Sequence, residues 1–404
     1  MALIALLSAR EGARERLADG RTGPLIGFGG QSLVEYQARA AISAGAERIL
    51  ILTEAATPDL GQLIDRLGAA SGVQAALVQD MVTLSRGIGV RDRLLLIGEN
   101  VVVPLDALSK LAGGEAPALL TVADVPATSG FERIDGDAKW AGALAVPGDT
   151  LLATLDMLGD WDLSLTLLRR TVQNGADRIP LSPELVMDGH LTIVRDQESA
   201  QIALRARAEQ DRREATAGAG PIGHLLAPLS RVIVQALVRR EIEPTLLRGM
   251  ALTVAALALA AASGGFAALA LLVMLVAVAV DELARQSARI TLRESGTDWR
   301  AWAVSGAGLA VLAILGWRLA GGTTLALTGA WLPVALVGLL AWRRTRDRDA
   351  GLWSGWTAMT VPLALLIALL GTLLSVPDLS FALLALLAAI MIALRFLLDD
   401  GAKI

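Results

Sequence analysis

Residues 249–280 have the sequence GMALTVAALALAAASGGFAALALLVMLVAVAV and contain no charged side chain over 32 positions. A helix needs about 20 mostly apolar residues to cross a bilayer, so this run is too long for one helix. The triplet Ser263-Gly264-Gly265 interrupts it with small, flexible residues. We therefore predict two membrane helices here, at about 245–263 and 266–288.

Further apolar runs follow toward the carboxyl end of the chain. Four more segments carry no charge: 301–317, 319–342, 350–377 and 379–394. Up to Arg248 the chain has 25 Lys/Arg and 31 Asp/Glu, whereas from Gly249 onward it has 11 and 9 over 156 residues. This contrast predicts an all-α transmembrane domain of six helices over 244–404, and it disfavours the alternative of a helical bundle buried in a soluble protein.

Loop charges predict the orientation of these helices. Arginines are concentrated before the first helix, between the second and third, and between the fourth and fifth, whereas the alternate loops contain almost none. The positive-inside rule then places both termini in the cytoplasm and the protein in the inner (cytoplasmic) membrane as a multi-pass protein. Residues 228–243 combine apolar positions with arginines and predict an amphipathic helix at the membrane interface. The Gly-rich residues 215–227 before them predict a linker.

Residues 1–214 have the composition and pattern of a soluble α/β domain. The opening MALIALLS lacks a basic segment and predicts a first strand rather than a signal peptide. Short apolar runs then alternate with helical patterns. Strands are expected at 2–7, 48–53, 75–78 and 93–97, with helices at 32–44, 57–67 and 106–111. This alternation predicts a parallel sheet with helices on both faces, which binds ligands at the carboxyl ends of its strands.

Composition excludes several classes of function. The net charge of −4 disfavours a nucleic-acid binder, since phosphate neutralisation requires a basic surface. The chain has no cysteine, so disulfides, thiolate metal sites and cysteine nucleophiles are excluded.

The first strand runs into Ala9-Arg10-Glu11-Gly12-Ala13-Arg14, and Thr22-Gly23-Pro24-Leu25 follows. Together with residues 26–35 and 44–52, these motifs resemble the sugar-phosphate nucleotidyltransferases, which have a Rossmann-like fold. The resemblance implies nucleotide binding by Gly12 and Arg14, with Glu99 holding a divalent metal where the family has an aspartate. Two positions depart from the family: Arg10 replaces a loop glycine, and Gly23 replaces a phosphate-binding lysine.

The membrane half resembles the CDP-alcohol phosphatidyltransferases in its six helices and in the segments Ala277–Arg285 and 296–300. That family clamps a diphosphate between two divalent metals held by four aspartates. The resemblance implies Mg²⁺ or Mn²⁺ as cofactor, with Asp281, Glu282 and Asp298 as the remaining metal ligands and Arg285 in nucleotide binding. It further implies membrane lipids and a CDP-alcohol as partners, and a homodimer. In one register Ala277 and Val280 occupy two of the family's aspartate positions, and in a shifted register Asp281 occupies the first of them.

A nucleotidyltransferase-like half followed by a phosphatidyltransferase-like half resembles the bifunctional enzymes of inositol-phosphate chemistry. This resemblance implies a role in phospholipid or polar-headgroup biosynthesis. Three hypotheses remain open at this point, and no residue is assigned as catalytic. In the first, the chain is a working transferase with substituted ligands. In the second, it is a catalytically inactive pseudoenzyme that serves an active transferase as membrane scaffold or regulatory partner. In the third, it is a transporter-like protein with a cytoplasmic sensor domain. The third is disfavoured because no charge lies in the middle of a predicted span.

Overall fold

A computed structural model describes residues 2–9, 25–157, 162–217, 244–293, 299–319, 331–340 and 360–401. The chain divides into two compact units. The first comprises Met1–Glu209 together with Val238–Glu241 and Arg289–Gly296, and the second comprises Gln210–Leu237, Ile242–Ala288 and Thr297–Ile404. The predicted α/β domain therefore forms one unit with a segment that is distant in sequence.

The first unit is built on a seven-stranded sheet with the order β3-β2-β1-β4-β7-β6-β8. A second sheet has two short strands, β5 and β9. The strands are β1 Leu3–Ser8, β2 Arg48–Leu52, β3 Gln74–Val78, β4 Arg93–Ile97, β5 Val101–Val102, β6 Ala118–Ala123, β7 Ala138–Pro147, β8 Asp177–Leu181 and β9 Thr192–Ile193.

In the described residues of this domain, eight α-helices connect and cover the strands. They are α1 Leu33–Ser43, α2 Pro58–Ser71, α3 Met81–Arg86, α4 Leu105–Gly113, α5 Gly148–Leu155, α6 Leu163–Gln173, α7 Glu184–Met187 and α8 Gln197–Ala217. Side chains cap several of them, as the sequence around each first turn favours: Ser32, Thr57, Asp80 and Asp162 each accept a hydrogen bond from a backbone N–H three residues later.

The central strands pair in parallel, as predicted, and this confirms the α/β fold class. β1 lies between β2 and β4 and is parallel to both. The prediction of a wholly parallel sheet is corrected by β7, which pairs antiparallel with both β4 and β6. The sheet is thus mostly parallel, and β7 is its longest strand.

Apolar side chains fill both faces of the sheet because side chains alternate along each strand. Ala5, Leu7, Ile49 and Ile51 lie in one cluster with helices α1, α2 and α4. Ile4, Leu6, Leu50 and Leu94 lie in the cluster on the opposite face, which includes side chains of α3, α5 and α6. A sheet covered on both faces directs ligands to its edges, as in doubly wound folds.

The second unit is all-helical over the residues that the structure describes. Its helices are α9 Pro244–Gly264, α10 Ala267–Ile290, α11 Trp299–Leu319, α12 Trp331–Leu340, α13 Val361–Leu373 and α14 Pro377–Gly401. The predicted break between the first two is confirmed: Gly265, between α9 and α10, has a φ of +94° that favours glycine.

Three of these helices, α9, α10 and α11, are long and apolar enough to cross a membrane. Within them only 28 %, 33 % and 33 % of the most apolar window is buried inside the protein. The remaining apolar surface, such as Leu257, Leu272 and Val276, would be costly to expose to water, and it indicates a membrane-embedded region. The prediction of six spans is supported for these three; α12, α13 and the apolar part of α14 are shorter.

Several sequence predictions lie wholly or partly outside the described residues. The interfacial helix over 228–243 is among them. The predicted linker 215–227 lies mostly outside them too, and its first residues belong to α8, which continues to Ala217.

Candidate functional site

The sheet changes direction of winding between β1 and β4. The chain passes from β1 to β2 and β3 on one side, whereas β4 lies on the other side of β1. In doubly wound sheets such a switch point opens a crevice at the carboxyl ends of the two strands. Ser8 ends β1 and Glu99 follows β4, so both lie at this crevice, and the Ser8 hydroxyl donates a hydrogen bond to Glu99 Oε1.

Hydrogen bonds to α1 and β7 fix the backbone of the loop that carries Glu99. Gln37 is buried on α1, and its Nε2 donates to the carbonyls of Gly98 (3.0 Å) and Val101 (2.8 Å). Gly98 N donates to Gly142 O at 2.7 Å. A Cβ on Gly98 would stand 3.2 Å from both this carbonyl and the Trp140 ring, so the position favours glycine. Glu99 is therefore an exposed carboxylate on a fixed backbone.

Asn100 follows Glu99 in this loop and is a third residue with a side-chain oxygen, after Ser8 and Glu99. Its φ of +56° is a left-handed conformation that asparagine tolerates better than most residues. Its carbonyl accepts a hydrogen bond from Val194 N at 2.7 Å, which ties the loop to the strand β9. Its Oδ1 is buried and accepts no hydrogen bond within the part of the chain that the structure describes.

The chemistry of this edge fits a hard divalent cation. Carboxylate, hydroxyl and amide oxygens are the ligands that Mg²⁺ prefers. Among the described residues no group of three His, Cys, Asp or Glu side chains is placed to hold a metal, and Glu99 is the carboxylate that the Ser8 hydroxyl contacts. The predicted nucleotide-binding residues Gly12 and Arg14 lie outside the described residues, in the segment that follows Ala9.

The second predicted group lies on α10. Asp281 is 1 % exposed and shares a buried helix face with Ala277, Ala284 and Ala288. Arg285 Nη2 lies 3.0 Å from Asp281 Oδ2, and Arg285 Nε lies 3.2 Å from Glu282 Oε2. The structure thus brings Asp281, Glu282 and Arg285 together as ion pairs within one helix.

This arrangement changes the interpretation of the α10 residues. A guanidinium group between two carboxylates occupies oxygens that a cation would need and repels a metal electrostatically. The donor set on α10 therefore does not fit the two-metal clamp as it stands. Asp298, the remaining predicted metal ligand, lies outside the described residues.

The segments 8–30 and 98–104, which follow the predicted strands 2–7 and 93–97, were expected at the carboxyl edge, and they include Ser8 and Asn100. Sequence reasoning missed Gln37, which lies in no motif quoted for the first half. A polar side chain in the middle of the apolar helix α1 was the available signal for Gln37, and the same signal applies to Glu35, which is fully buried on that helix. A groove of about 520 Å³ beside α2 lies along β2 and β3, and its lining includes Arg48 and Gln74, which begin those strands. None of its lining residues lies at the carboxyl end of β2 or β3, so the groove is separate from the edge where Glu99 lies.

Comparison with known proteins finds structural likeness among solved structures. No family model matches the chain, and no curated protein matches it. Among solved structures, the chain is similar to the inositol-1-phosphate CTP transferase from T. maritima, at 18 % sequence identity and a TM-score of 0.34. The similar region covers 45 % of this chain and 84 % of that one.

Proposed function

We propose that the chain is a membrane protein of the CDP-alcohol phosphatidyltransferase type, with a cytoplasmic nucleotidyltransferase-like domain, that acts in phospholipid or polar-headgroup biosynthesis. The observation that carries the proposal is the pairing of Ser8 with Glu99 at the switch point of the sheet. Gly12 and Arg14 follow the last residue of β1, Ser8, in the sequence. Three membrane-capable helices in the same chain support the membrane part.

At the carboxyl edge each residue has a role that its chemistry suits. Glu99 and Ser8 would hold Mg²⁺ or Mn²⁺, which supplies positive charge to the phosphates of a bound nucleotide. Gly12 would allow close approach of the backbone to phosphate, and Arg14 would pair with its charge. The reaction is attack of a phosphate monoester oxygen on the α-phosphorus of CTP, which releases diphosphate and leaves a CDP-alcohol.

The membrane half would use such a CDP-alcohol with a lipid or alcohol acceptor, in an inositol-phosphate-like chemistry. By resemblance, Asp281, Glu282 and Asp298 would be the metal ligands, Arg285 would bind the nucleotide, and the protein would form a homodimer. The ion pairs of Arg285 with both carboxylates would have to open before a metal could bind.

Those ion pairs favour a second candidate function for the same chain. If Arg285 stays paired with Asp281 and Glu282, the membrane half is a pseudoenzyme that serves as scaffold or regulatory partner of an active transferase. The apolar residues Ala277 and Val280 at two aspartate positions of the family support this candidate.

Two product assays on purified full-length protein test the proposal. We expect CTP- and Mg²⁺-dependent diphosphate release with a phosphate monoester, reduced about tenfold or more in Glu99→Gln and unchanged in Glu132→Gln, an exposed matched control. Release of CMP from CDP-alcohols reports the membrane half. Diphosphate without CMP would assign the membrane half to the pseudoenzyme candidate, and neither product with any phosphate monoester would overturn the catalytic proposal.

A further inference from the structure

A tight turn in the α/β unit lies just before α1. Gly27 and Ser32 form a bridge, and Phe28 N donates to Gln31 O at 2.6 Å. Gly29 and Gly30 between them have φ values of +65° and +77°. Two consecutive left-handed residues are the pattern of a type I′ turn, which glycine adopts without strain. We refer to residues 27–32 as the glycine turn.

The glycine turn holds a segment from far along the chain. Thr291 and Arg293 follow α10 in sequence and belong to the same compact unit as the turn. Gln31 Nε2 donates to Thr291 O at 2.7 Å, and Arg293 Nη2 donates to Gly30 O at 2.7 Å. A Cβ on Gly29 would stand 2.7 Å from Thr291 Cγ2, so the fit itself requires glycine.

A buried carboxylate, Glu35, lies near the Arg293 side chain. We call this carboxylate and the glycine turn together the seat of Arg293. Glu35, on the first turn of α1, is 0 % exposed and lies 2.9 Å from Arg39 Nη2 and 2.9 Å from Arg66 Nη2. Arg293 Nη2 lies 3.8 Å away from it and is itself only 14 % exposed. A carboxylate out of water is stable only when it is paired, and Glu35 is paired closely with Arg39 and Arg66, while the Arg293 guanidinium adds a third, more distant cation.

The same helix reaches the candidate functional site. Glu35 and the N-cap Ser32 lie at the start of α1, and Gln37 lies two residues after Glu35. Gln37 is the residue that holds the carbonyls of Gly98 and Val101 on either side of Glu99 and Asn100. One rigid element therefore carries both the seat of Arg293 and the support of the Glu99 loop.

We propose that residues 291–293 are an internal docking segment whose seating on the glycine turn fixes α1 and so positions the Glu99 loop. Arg293, Gln31 and Glu35 are positioning residues in this account, since they act through α1 and Gln37. The importance of Glu99 rests on the proposed function, whereas the docking and its effect on the loop do not.

Docking is tested by cross-linking the full-length protein in detergent micelles. The chain has no cysteine, so Gln31→Cys with Thr291→Cys gives a unique pair of thiols. Both positions are buried, so the thiols are joined by mild oxidation and counted by labelling after denaturation. The first pair should form a disulfide within one chain and leave no thiol to label. The pair Asp65→Cys with Thr291→Cys is the control and should label fully after the same treatment, whereas full labelling of the first pair would overturn the proposal.

Positioning is tested by hydrogen exchange of the same full-length protein. Arg293→Ala should speed exchange of residues 98–103 by about fivefold or more, in addition to that of the glycine turn. Arg91→Ala removes the same charge from an exposed site and should leave both segments unchanged. Faster exchange in the turn with unchanged exchange in 98–103 would refute the positioning role. Neither readout uses nucleotide, so failure of this inference is distinguishable from failure of the proposed function.

Discussion

Single residues at the carboxyl edge are specified by backbone geometry as much as by chemistry. Gly142 has a φ of +88°, and a Cβ there would stand 2.6 Å from Val101 Cγ1, in the strand that follows the Glu99 loop. Gly142→Ala should therefore lower the free energy of unfolding by about 2 kcal/mol. Denaturant unfolding measures this, and Gly136→Ala, where no atom lies within 4 Å of the added carbon, is the control. An equal loss in both variants would refute the steric account.

Tyr36 is the chain's one tyrosine, so the ionisation of its hydroxyl can be followed on its own. Burial raises the pKa of its hydroxyl above 10.0, and the nearby Arg207 opposes this in part. In the unfolded chain the hydroxyl ionises at the ordinary value, so its contribution to stability is full below pH 10 and is lost as pH rises toward the folded pKa. Absorbance at the tyrosinate band should therefore rise later in native than in denatured protein; coincident titrations would contradict the buried placement.

At the scale of elements, the sequence predicted the first half of the sheet better than the second. The strand at 93–97 was predicted with its observed ends, and β1 and β2 differ from prediction by about a residue, because apolar runs there alternate with amphipathic helices. The strands β6, β7 and β8 were not predicted. β7 inserts antiparallel between β4 and β6, which no local pattern encodes, and β8 contains Pro180, which weakens a strand pattern.

The candidate site, like the sheet, could be predicted from the sequence only in part. Glu99 was implied by the resemblance to a family with a metal-binding aspartate after its central strand, and a parallel sheet places such residues at its carboxyl edge. Its partners Ser8 and Gln37 come from elements 91 and about 60 residues away, so only the folded topology brings them together. The seat of Arg293 on Gly30 spans 263 residues and could not be predicted from any local pattern.

Helix α8 offers a test of capping at this scale. Ser199 N donates to Asp196 Oδ1 at 2.8 Å, and this hydrogen bond is the main cause that lowers the pKa of Asp196. Asp196→Ala should cost about 1 kcal/mol of stability at neutral pH. The stabilisation from ionised Asp196 is present above its unfolded pKa and fades as pH falls through its folded pKa. Asp196→Asn should keep most of the cap without that pH dependence, and a larger loss in Asn than in Ala would contradict the assignment.

At the scale of the whole molecule, the chain joins an α/β domain to a region with three membrane-capable helices. The positive-inside pattern predicts that Ala55 lies in the cytoplasm and that Phe266, between α9 and α10, lies on the opposite side. Because the chain lacks cysteine, Ala55→Cys and Phe266→Cys can be labelled singly. In intact spheroplasts, a membrane-impermeant maleimide should label Phe266→Cys and leave Ala55→Cys unlabelled. Labelling of Ala55→Cys alone would reverse the orientation.

We propose that the carboxyl edge around Glu99 binds a nucleotide through a divalent cation. Calorimetric titration of the full-length protein in micelles with CTP, in the presence and absence of Mg²⁺, measures this directly. We predict Mg²⁺-dependent binding that weakens by about tenfold or more in Glu99→Gln and is unchanged in Glu132→Gln. Absence of CTP binding in the unsubstituted protein, or equal affinity in Glu99→Gln, would contradict the account.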